Sequence, residues 1–313
     1  MPLLPPINSI EDYRASSRDE ATYAPAVAEI CRMHGIADQP RRKFAGGSTI
    51  VFAVGDAYVV KLFEPFVAAN ALTEAAVLRH VDGRLGVPAP HVFHMGSLDG
   101  WRYVVMSRLH GEVAYDAWDG LDADARRSIC AQVGAAIGKL HALDVAGLHI
   151  AGPAWAEFIA HKRADCMTRQ RGKALDPHWL DQIPAFLDSV PLRDDGQVLL
   201  HTEMMREHVL ITLRDDGVAV SGIFDFEPAM TGAREYDFAS IGVFLTGGDA
   251  TLFDAFLDGY GLPRTARDPA MPRRVMAYAL LHRYSNMTWY LERVPPRAAR
   301  TLDELAEEWF GWG

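Results

Sequence analysis

The chain is 313 residues long, 49% hydrophobic and 23% charged, and its formal net charge is −10. These values are typical of a globular protein that buries a large core, and the length favours two lobes over two independent domains. The acidic balance argues against a nucleic-acid partner and against an anionic membrane surface. It suits a cationic small molecule, although solubility alone is the commoner cause of such an excess.

The sequence shows neither a membrane span nor a signal peptide. Its apolar runs are short and interrupted by charge, and the first residues lack a basic leader before a long apolar run. The cysteines, Cys31, Cys130 and Cys166, lie far apart and have no metal-ligand spacing. They indicate reduced thiols in the core, so the sequence predicts a cytoplasmic protein.

The amino-terminal part predicts a helix followed by a small antiparallel sheet with one further helix. Apolar runs alternate with glycine-containing turns, of which Gly55-Asp56 is a tight hairpin signal. Pro65 precedes the second helix, and Gly83 marks its end. In chain order the predicted elements are helix 20–35, strands 49–54 and 58–63, helix 66–81, and strands 91–95 and 103–106.

After Gly111 the sequence becomes mostly helical. Apolar residues from Ile129 to Leu140 recur at spacings of four, four and three, so they form one face of a long helix that begins near Asp122. The other helices predicted in this part are 155–167, 177–187, 236–245, 250–260, 272–291 and 301–310.

A hairpin interrupts these helices. It follows a strand that ends at Leu200 and a polar loop, and its arms are 209–213 and 218–224. Both arms are rich in β-branched and apolar residues, and the turn at 215–217 contains Asp-Gly, a strong hairpin signal. The hairpin should therefore hold the polar loops at its two ends side by side.

Those two loops carry clustered acids. Glu203 and His208 lie in the loop before the hairpin, and Asp225 and Glu227 directly follow it. Phosphoryl transfer depends mostly on positioning and charge neutralisation, so a metal-dependent site for this chemistry needs such a cluster beside a rigid element. The sequence therefore indicates a candidate phosphoryl-transfer site.

This arrangement resembles the aminoglycoside phosphotransferase family, whose members are small-molecule kinases with a protein-kinase-like fold. The family's catalytic loop is His-Gly-Asp-x-x-x-x-Asn, followed by a hairpin and an Asp-Phe or Asp-Trp metal motif. Here the loop begins His201-Thr202-Glu203, has His208 in the place of the asparagine, and is followed after the hairpin by an Asp-Phe pair at Asp225. Two chemical positions, Glu203 and His208, therefore depart from the pattern.

The resemblance spans about residues 44–310 and implies a two-lobed, protein-kinase-like α+β fold. In this fold a small antiparallel-sheet N-lobe precedes a larger, mainly helical C-lobe. The expected division is an N-lobe at 1–106, a hinge at 107–111 and a C-lobe at 112–313. The segments 12–16 and 302–305 are also similar to one hygromycin phosphotransferase type.

Two features of the N-lobe suit a nucleotide. A glycine loop between two strands could let backbone N–H groups approach phosphate oxygens, although a turn without a ligand is the commoner interpretation. The loop consists of Gly46, Gly47, Ser48 and Thr49. Lys61 lies in an apolar strand, so it must snorkel to the surface or meet an acid. The resemblance implies that it binds the α- and β-phosphates and pairs with Glu74 of the next helix; a surface lysine and a solvated glutamate are the alternative.

The segment from Tyr103 to Gly111 resembles the family's hinge. Exposed backbone groups bond to adenine there, so the side chains are poorly specified. By this resemblance Met106 is the gatekeeper, and the Ser107 carbonyl and the Leu109 N–H contact adenine. From the residues alone, an edge strand that leads into a loop is an equally economical interpretation.

The resemblance gives His201 a bracing role and gives Glu203 the role of orienting or deprotonating the acceptor hydroxyl. The family has aspartate at the second position, and one added methylene moves a carboxylate by more than about 1 Å, which can cost about a hundredfold in rate. Glutamate can still act as a base if the loop has drawn back. We also hypothesise that Arg206 supplies positive charge to the transferring phosphoryl group; a solvent-facing arginine is the alternative.

Asp225 is the strongest single prediction, because an acid within an apolar run is costly to bury unpaired. The resemblance implies that it binds Mg²⁺, with Glu227 as an accessory ligand. Mg²⁺ prefers oxygen ligands, whereas imidazole suits zinc and late transition metals. We therefore expect that His208, although part of the metal site, does not bind Mg²⁺ directly. It either leaves a one-metal site centred on Asp225 or holds a water or a phosphate oxygen by a hydrogen bond. Asp237 should tie the next helix to the catalytic loop, or cap that helix.

The sequence thus predicts an enzyme that uses ATP or GTP with Mg²⁺ to phosphorylate a hydroxyl of a small, cationic, aminoglycoside-like antibiotic. One alternative is a nucleotide-binding protein with weak or no transferase activity, because Glu203 and His208 depart from the family pattern. Another keeps the chemistry and changes the acceptor to an amino alcohol or another natural product. Neither nucleic acid nor a membrane is expected as a partner.

Overall fold

The computed structural model describes residues 1–7, 9–17, 19–192, 196–215 and 217–312. Its helices are α1 (Ile10–Ser16), α2 (Glu20–Met33), α3 (Ala68–Val81), α4 (Ala114–Ala117), α5 (Ala123–His141), α6 (Trp155–Gly172), α7 (Pro177–Leu180), α8 (Ile183–Ser189), α9 (Glu235–Ser240), α10 (Ala250–Tyr260), α11 (Met271–Leu281), α12 (Met287–Arg293) and α13 (Leu302–Phe310). Its strands are β1 (Arg41–Lys43), β2 (Ile50–Val54), β3 (Tyr58–Phe63), β4 (Val92–Leu98), β5 (Trp101–Ser107), β6 (Glu112–Val113), β7 (Val198–Leu200), β8 (Val209–Arg214), β9 (Gly217–Ile223) and β10 (Met230–Gly232). None of the helices in these ranges combines the length and the apolar character that a membrane crossing requires.

The first five strands form one antiparallel sheet in the order β1-β2-β3-β5-β4. Side chains alternate between the two faces of a strand. Val60 and Leu62 of β3 therefore share a core with α2, whereas Phe63 belongs to the core on the α3 side. Lys61 lies on the same face of β3 as Phe63, toward α3, which is why a lysine in a central strand can reach an acid on that helix.

The predicted elements of this part are confirmed, and two short ones are added. The predicted hairpin forms as β2 and β3, joined through Gly55, whose φ of +54° suits a residue without a side chain. Helix α2 begins after Asp19, whose carboxylate accepts a hydrogen bond from the backbone N–H of Ala21. Helix α1 and strand β1 were not expected, because both are too short to show a periodic pattern.

The predicted long helix is α5, and it crosses α10 at very short range. A Cβ at Gly134 would lie 2.2 Å from the backbone oxygen of Phe256, so the crossing requires glycine there. The apolar face from Ile129 to Leu140 is buried, as its spacing predicted. This packing fixes the end of α5, where His141 lies. All three cysteines are buried and free, as expected of core thiols.

The predicted hairpin between the two polar loops is also present. Strands β8 and β9 pair antiparallel, with Val209 opposite Ile223, so the loop before β8 and the loop after β9 meet at the same end. Strand β7 pairs with β10 directly beneath that end. Asp216, in the predicted turn, lies outside the described residues.

Two predictions of a single helix are wrong, because each segment forms two shorter helices. The helix predicted at 272–291 ends at Leu281 and resumes at Met287, because tertiary contacts hold the intervening turn in another conformation. In that turn His282 Nε2 donates to the Thr202 carbonyl at 2.8 Å, and the Arg283 N–H donates to the Tyr236 hydroxyl at 2.8 Å. The helix predicted at 177–187 is likewise two, α7 and α8, the second with a proline in its first turn.

Candidate active site

Three carboxylates converge on one buried ammonium group. Lys61 Nζ lies 2.7 Å from Asp225 Oδ1, 2.9 Å from Glu227 Oε2 and 3.1 Å from Glu74 Oε2. Strand β3 supplies the lysine, α3 supplies Glu74, and the loop after β9 supplies the other two acids. Lys61 is only 5% exposed, so the alternative of a surface lysine with a solvated glutamate is excluded.

The charges within this cluster do not balance without a further cation. Although burial favours the neutral amine, Asp225, Glu74 and Glu227 raise the pKa of Lys61, which stays protonated. Burial likewise opposes ionisation of Asp225, but Lys61 holds the pKa of that carboxyl well below its usual range. Burial raises the pKa of Glu74 to about 7, so Glu74 takes up a proton most readily. The cluster therefore has room for positive charge.

The glycine loop reaches this cluster through its last residue. Thr49 Oγ1 donates to Glu227 Oε2 at 3.2 Å. Gly46 and Gly47 are exposed, and Gly47 has a φ of +94°, which favours glycine. The backbone of these residues is thus open to solvent, and Thr49 links the loop to an acid that pairs with Lys61.

Helix α1 supplies a contact to the glycine loop that the sequence did not indicate. The Tyr13 hydroxyl donates to the Ser48 carbonyl at 2.5 Å. The Tyr13 ring packs edge-on against Phe66, with 6.4 Å between ring centroids, and it is 5% exposed. Burial, together with Glu64 nearby, raises the pKa of this hydroxyl well above its usual range, so it remains a donor. Only the unpredicted helix brings Tyr13 here.

His201 is fully buried and both of its ring nitrogens are used within the protein. A carbonyl oxygen can only accept, so His201 Nε2 donates to the Phe224 carbonyl, at 3.0 Å. Its Nδ1 then accepts from the backbone N–H of Glu203, at 3.3 Å. Burial lowers the pKa of His201 to about 4, consistent with a neutral ring. His201 thus joins the catalytic loop to the end of β9.

Asp237 ties the catalytic loop to two helices. Its carboxylate accepts from the backbone N–H groups of His201 and Thr202, at 2.9 and 2.6 Å. It also accepts from His141 Nε2 at 2.9 Å, and His141 Nδ1 lies 3.0 Å from the Tyr260 hydroxyl. Of the two roles considered for Asp237, its contacts are those of the tie and not of a helix cap.

Thr202 is a residue whose importance the sequence interpretation missed. Its φ is +72°, and a β-branched side chain rarely adopts this conformation. The family pattern has glycine at this position, which was the available signal. The surrounding bonds compensate: Thr202 Oγ1 donates to the Pro228 carbonyl at 3.2 Å, and His282 Nε2 donates to the Thr202 carbonyl at 2.8 Å. Asp225 has the same φ of +72°, so both loops hold strained residues at the site.

Glu203 follows Thr202 in the catalytic loop, and its carboxylate is available. Among the described residues, none donates a hydrogen bond to its side-chain oxygens. Burial raises the pKa of Glu203 to about 7, and Arg283 partly opposes this effect. A carboxylate with a pKa near neutrality suits a general base. Arg283 was missed as a neighbour of Glu203, because the turn that carries it was predicted as helix.

His208 lies at the other end of the catalytic loop, against Asp225. Its Nδ1 donates to the Glu203 carbonyl at 2.7 Å, and its Nε2 lies 3.3 Å from Asp225 Oδ2. The structure thus brings together Lys61, Glu74, Asp225, Glu227 and His208, with Glu203 beside them.

Arg206 is not brought to this cluster, contrary to the hypothesis that it faces the transferring phosphoryl group. Its Nε donates to the Leu245 carbonyl at 2.7 Å, and its guanidinium lies 3.9 Å from the centre of a Trp118 ring. Arg206 and His208 share one turn of 3-10 helix, which has about three residues per turn, so they point to different sides of it. Arg206 therefore anchors the catalytic loop to the C-lobe.

The residues expected to form the hinge lie between the sheet and the hairpin. Met106 is buried in β5, and the Ser107 N–H donates to the His91 carbonyl at 2.8 Å. Leu109 packs against β9, where a Cβ at Gly222 would come within 2.7 Å of Leu109 Cδ1. The segment therefore forms a close connection between the sheet and the hairpin.

A metal ion would have to find most of its ligands outside the protein. Within the described ranges, no group of three or more His, Cys, Asp and Glu side chains has the geometry of a complete metal site. Asp225 and Glu227 nevertheless offer carboxylate oxygens, which Mg²⁺ prefers, and kinase-type sites bind Mg²⁺ through one or two carboxylates together with phosphate oxygens. These residues therefore fit a nucleotide-bound metal, while the imidazole of His208 does not suit Mg²⁺.

Comparison with solved structures identifies the fold. The GDP complex of wild-type aminoglycoside 2'-phosphotransferase-IIIa has a TM-score of 0.70 and 17% identity, covering 90% of this chain and 98% of that chain. The apoenzyme of macrolide 2'-phosphotransferase MphH from Brachybacterium faecium has a TM-score of 0.62 and 18% identity, covering 88% of this chain and 99% of that chain. ADP-bound aminoglycoside phosphotransferase APH(2'')-Ib has a TM-score of 0.59 and 14% identity, covering 93% and 99%.

These likenesses, with the antiparallel sheet followed by a mainly helical part, confirm the predicted two-lobed, protein-kinase-like α+β fold. No curated protein matches the chain by sequence. The model of the phosphotransferase enzyme family, however, matches residues 41–278, a range that includes Lys61, the catalytic loop and Asp225. The chain therefore belongs to the phosphotransferase enzyme family.

Proposed function

We propose that this protein transfers the γ-phosphoryl group of ATP or GTP to a hydroxyl group of a small molecule. The observation that carries the proposal is that Lys61 of β3 meets Asp225 and Glu227 of the loop after β9, with the Glu203 carboxylate beside them. A buried ammonium next to an open glycine loop suits a polyphosphate. The similar structures named above include GDP and ADP complexes, which supports a nucleotide as the phosphoryl donor.

On the nucleotide side, Lys61 would bind phosphate oxygens while Glu74 orients its ammonium group. The open backbone of the glycine loop would approach the phosphates from the other side. In this proposal a hinge at 107–111 joins an N-lobe at 1–106 to a C-lobe at 112–313. The hinge would present the Ser107 carbonyl and the Leu109 N–H to the nucleotide base, with Met106 as the gatekeeper behind it. Binding a polyphosphate would relieve the crowding of carboxylates around Lys61, since phosphate oxygens and their cation then share the cluster.

Asp225 and Glu227 would hold the divalent ion, whose chemistry is to neutralise the charge on the phosphate oxygens during transfer. Glu203 would accept the proton of the acceptor hydroxyl as its oxygen attacks the γ-phosphorus. The proton then resides on a Glu203 oxygen, and the bond between the γ-phosphorus and the bridging oxygen breaks to release the nucleoside diphosphate. His201 and Asp237 would position the backbone of the loop that carries Glu203.

For the acceptor we propose an aminoglycoside-like antibiotic. The net charge of −10 favours a cationic ligand, and several similar structures are of enzymes named for aminoglycosides. One is named for a macrolide, so another natural product or an amino alcohol is the competing acceptor class.

The second candidate function is nucleotide binding with weak or no transfer. It is motivated by Glu203 and His208, which replace the aspartate and asparagine of the family pattern, and by the strained Thr202 directly before Glu203. A binding protein of this kind would keep the Lys61 cluster and lack a productively placed base.

Calorimetry with a Mg²⁺-nucleotide and a transfer assay over an acceptor panel separate the two. The panel contains hygromycin B, other aminoglycosides, a macrolide and amino alcohols, each with ATP and with GTP. We expect turnover with at least one acceptor, and for Glu203→Gln we expect unchanged nucleotide affinity with a rate lower by about a hundredfold or more. Glu29→Gln, whose side chain pairs only with Arg32 on the surface of α2, is the matched control. Nucleotide binding without turnover on any acceptor would favour the second candidate.

A further inference from the structure

The two histidines of the catalytic loop donate through opposite ring nitrogens. His201 donates through Nε2 to the Phe224 carbonyl, so its Nδ1 is an acceptor. His208 donates through Nδ1 to the Glu203 carbonyl, since a carbonyl oxygen can only accept. In His208 the lone pair of the neutral ring is therefore on Nε2, and His201 has no free nitrogen. Of these two histidines, only His208 therefore has a ring nitrogen free to bind a cation.

The free nitrogen of His208 faces a carboxylate oxygen. Nε2 lies 3.3 Å from Asp225 Oδ2, while the other oxygen of Asp225 is bonded to Lys61 at 2.7 Å. Two lone pairs at this distance repel each other unless something positive lies between them. That positive group is either a proton on Nε2 or a metal ion bound to both atoms.

Several features of His208 are those of a metal ligand. Metal-binding histidines usually donate their other N–H to a carbonyl or carboxylate, which fixes the tautomer and the ring direction, and His208 does so at 2.7 Å. Its backbone is held on both sides, because its N–H donates to the Met205 carbonyl at 3.0 Å and its carbonyl accepts from Phe224 at 3.2 Å. Adjacent ligands that each lie about 2.1 Å from one ion are about 3 Å apart, close to the observed separation.

We propose that His208 Nε2 and Asp225 Oδ2 are adjacent ligands of one divalent first-row transition-metal ion, so that this protein selects Mn²⁺ or Co²⁺ over Mg²⁺. The family pattern has asparagine at position 208, which offers an oxygen, whereas imidazole offers a nitrogen that binds transition metals far better than Mg²⁺. This proposal rests on the proposed function in one respect only, namely that phosphate oxygens of the nucleotide would supply the remaining ligands of the metal ion.

The first experiment titrates the purified full-length protein with Co²⁺ alone, and then with Mn²⁺ or Mg²⁺ in the presence of a non-hydrolysable ATP analogue. Visible absorption reports Co²⁺ binding, and calorimetry reports the affinities of all three ions. For His208→Asn we expect the ratio of Co²⁺ to Mg²⁺ affinity to fall by about tenfold or more, because an oxygen replaces the nitrogen. His178→Asn replaces an exposed histidine whose ring bonds, among the described residues, to the Arg300 carbonyl and packs edge-on against Trp179, and it should leave the ratio unchanged.

The second experiment tests for a direct bond between the metal and the ring. Electron spin echo modulation of bound Mn²⁺ detects a coordinated imidazole nitrogen, and this signal should be present in the wild type and absent in His208→Asn. Asp225→Asn, with His208 intact, should weaken the affinity for every ion, and thermal unfolding of each variant confirms that it is folded. A His208→Asn protein that does not fold leaves the wild-type nitrogen signal as the deciding measurement.

An equal affinity ratio in wild type and His208→Asn, or bound Mn²⁺ without a nitrogen signal, would overturn the proposal and leave a protonated His208 paired with Asp225. The proposed function fails in a different way, namely if the ATP analogue does not bind with any of the three ions. The titration with Co²⁺ alone still tests the metal ligands in that case.

Discussion

The two sides of the candidate site are built in different ways. Lys61 and Glu74 lie on β3 and α3, where ladder and helix hydrogen bonds fix the backbone close to each residue. Glu203 lies instead in a loop that contains Thr202 at a φ of +72°, and side chains from α5, α9 and the turn after α11 hold this loop in place. The side proposed to bind the nucleotide is therefore stable locally, whereas the side proposed to bind the acceptor depends on distant parts of the chain.

Removal of Asp237, which holds the catalytic loop from a distant part of the chain, should have the largest effect on stability and turnover. In Asp237→Ala two backbone N–H groups and His141 Nε2 lose their acceptor in a fully buried site. A buried unpaired group costs about 1–3 kcal/mol, so we expect the free energy of unfolding to fall by about 3 kcal/mol or more, with loss of turnover. Urea unfolding measures the first and the transfer assay the second.

Asp188→Ala is the matched control for that substitution. Asp188 is largely exposed and pairs with Arg163 at 2.8 Å, so its loss should cost less than about 1 kcal/mol. Equal costs for the two variants would show that the catalytic loop does not depend on Asp237.

On the nucleotide side, Lys61→Met should lower turnover by about a hundredfold or more, because the ammonium that would bind the phosphates is lost. The variant should remain folded, since β3 and α3 are fixed by their own backbone bonds, but three carboxylates then lack their cation. We therefore expect it to be less stable at pH 8 than at pH 5, where the acids can take up protons. Lys173→Met, at an exposed position, controls for the loss of one positive charge. Unchanged turnover in Lys61→Met would remove the nucleotide assignment.

The pH dependence should distinguish activity from stability. Burial raises the pKa of Glu203 to about 7, so kcat/KM should rise with pH up to about 7 and fall about tenfold per unit below it. Stability has the opposite sign: the raised pKa values of Glu203 and Glu74 mean that the folded protein binds more protons, so the free energy of unfolding falls as pH rises from about 4.3 to about 7.

Glu203→Gln checks that assignment. Its free energy of unfolding should depend less on pH between 5 and 7 than that of the wild type, as measured by urea unfolding at several pH values. If kcat/KM of the residual activity of this variant still rises with pH up to about 7, the pH dependence belongs to another group.

The smallest effect concerns the strain at Thr202. Thr202→Gly removes a β-branched side chain from a φ of +72°, which relieves about 1–2 kcal/mol, but it also loses the bond to Pro228 and adds chain entropy. We expect a net change within about 1 kcal/mol. Thr202→Val keeps the strain and loses the bond, so it should be the less stable of the two by about 1 kcal/mol. Thermal unfolding that ranks them the other way would contradict strain in this loop.

The sequence by itself determined the longer strands, the two hairpins and the order of the motifs, whereas the pairing of Lys61 with Glu74 was implied by the family resemblance. Alternation in β3 places Lys61 on the face toward α3, and that helix begins within a few residues, so the two side chains meet in the structure. The resemblance of the loops around β8 and β9, together with the order of the other motifs, then indicated the family that the family model confirms.

Only the tertiary structure decided how the loop chemistry is arranged. The helix predicted at 272–291 breaks at His282 because that ring bonds to the Thr202 carbonyl, a partner 80 residues away. Arg206 turns away from the acids to contact Trp118, and Tyr13 reaches the glycine loop from a helix with no periodic signal. Periodicity reports only which face of an element is apolar, whereas the direction of a polar side chain is set by partners that are distant in sequence and meet it only after folding.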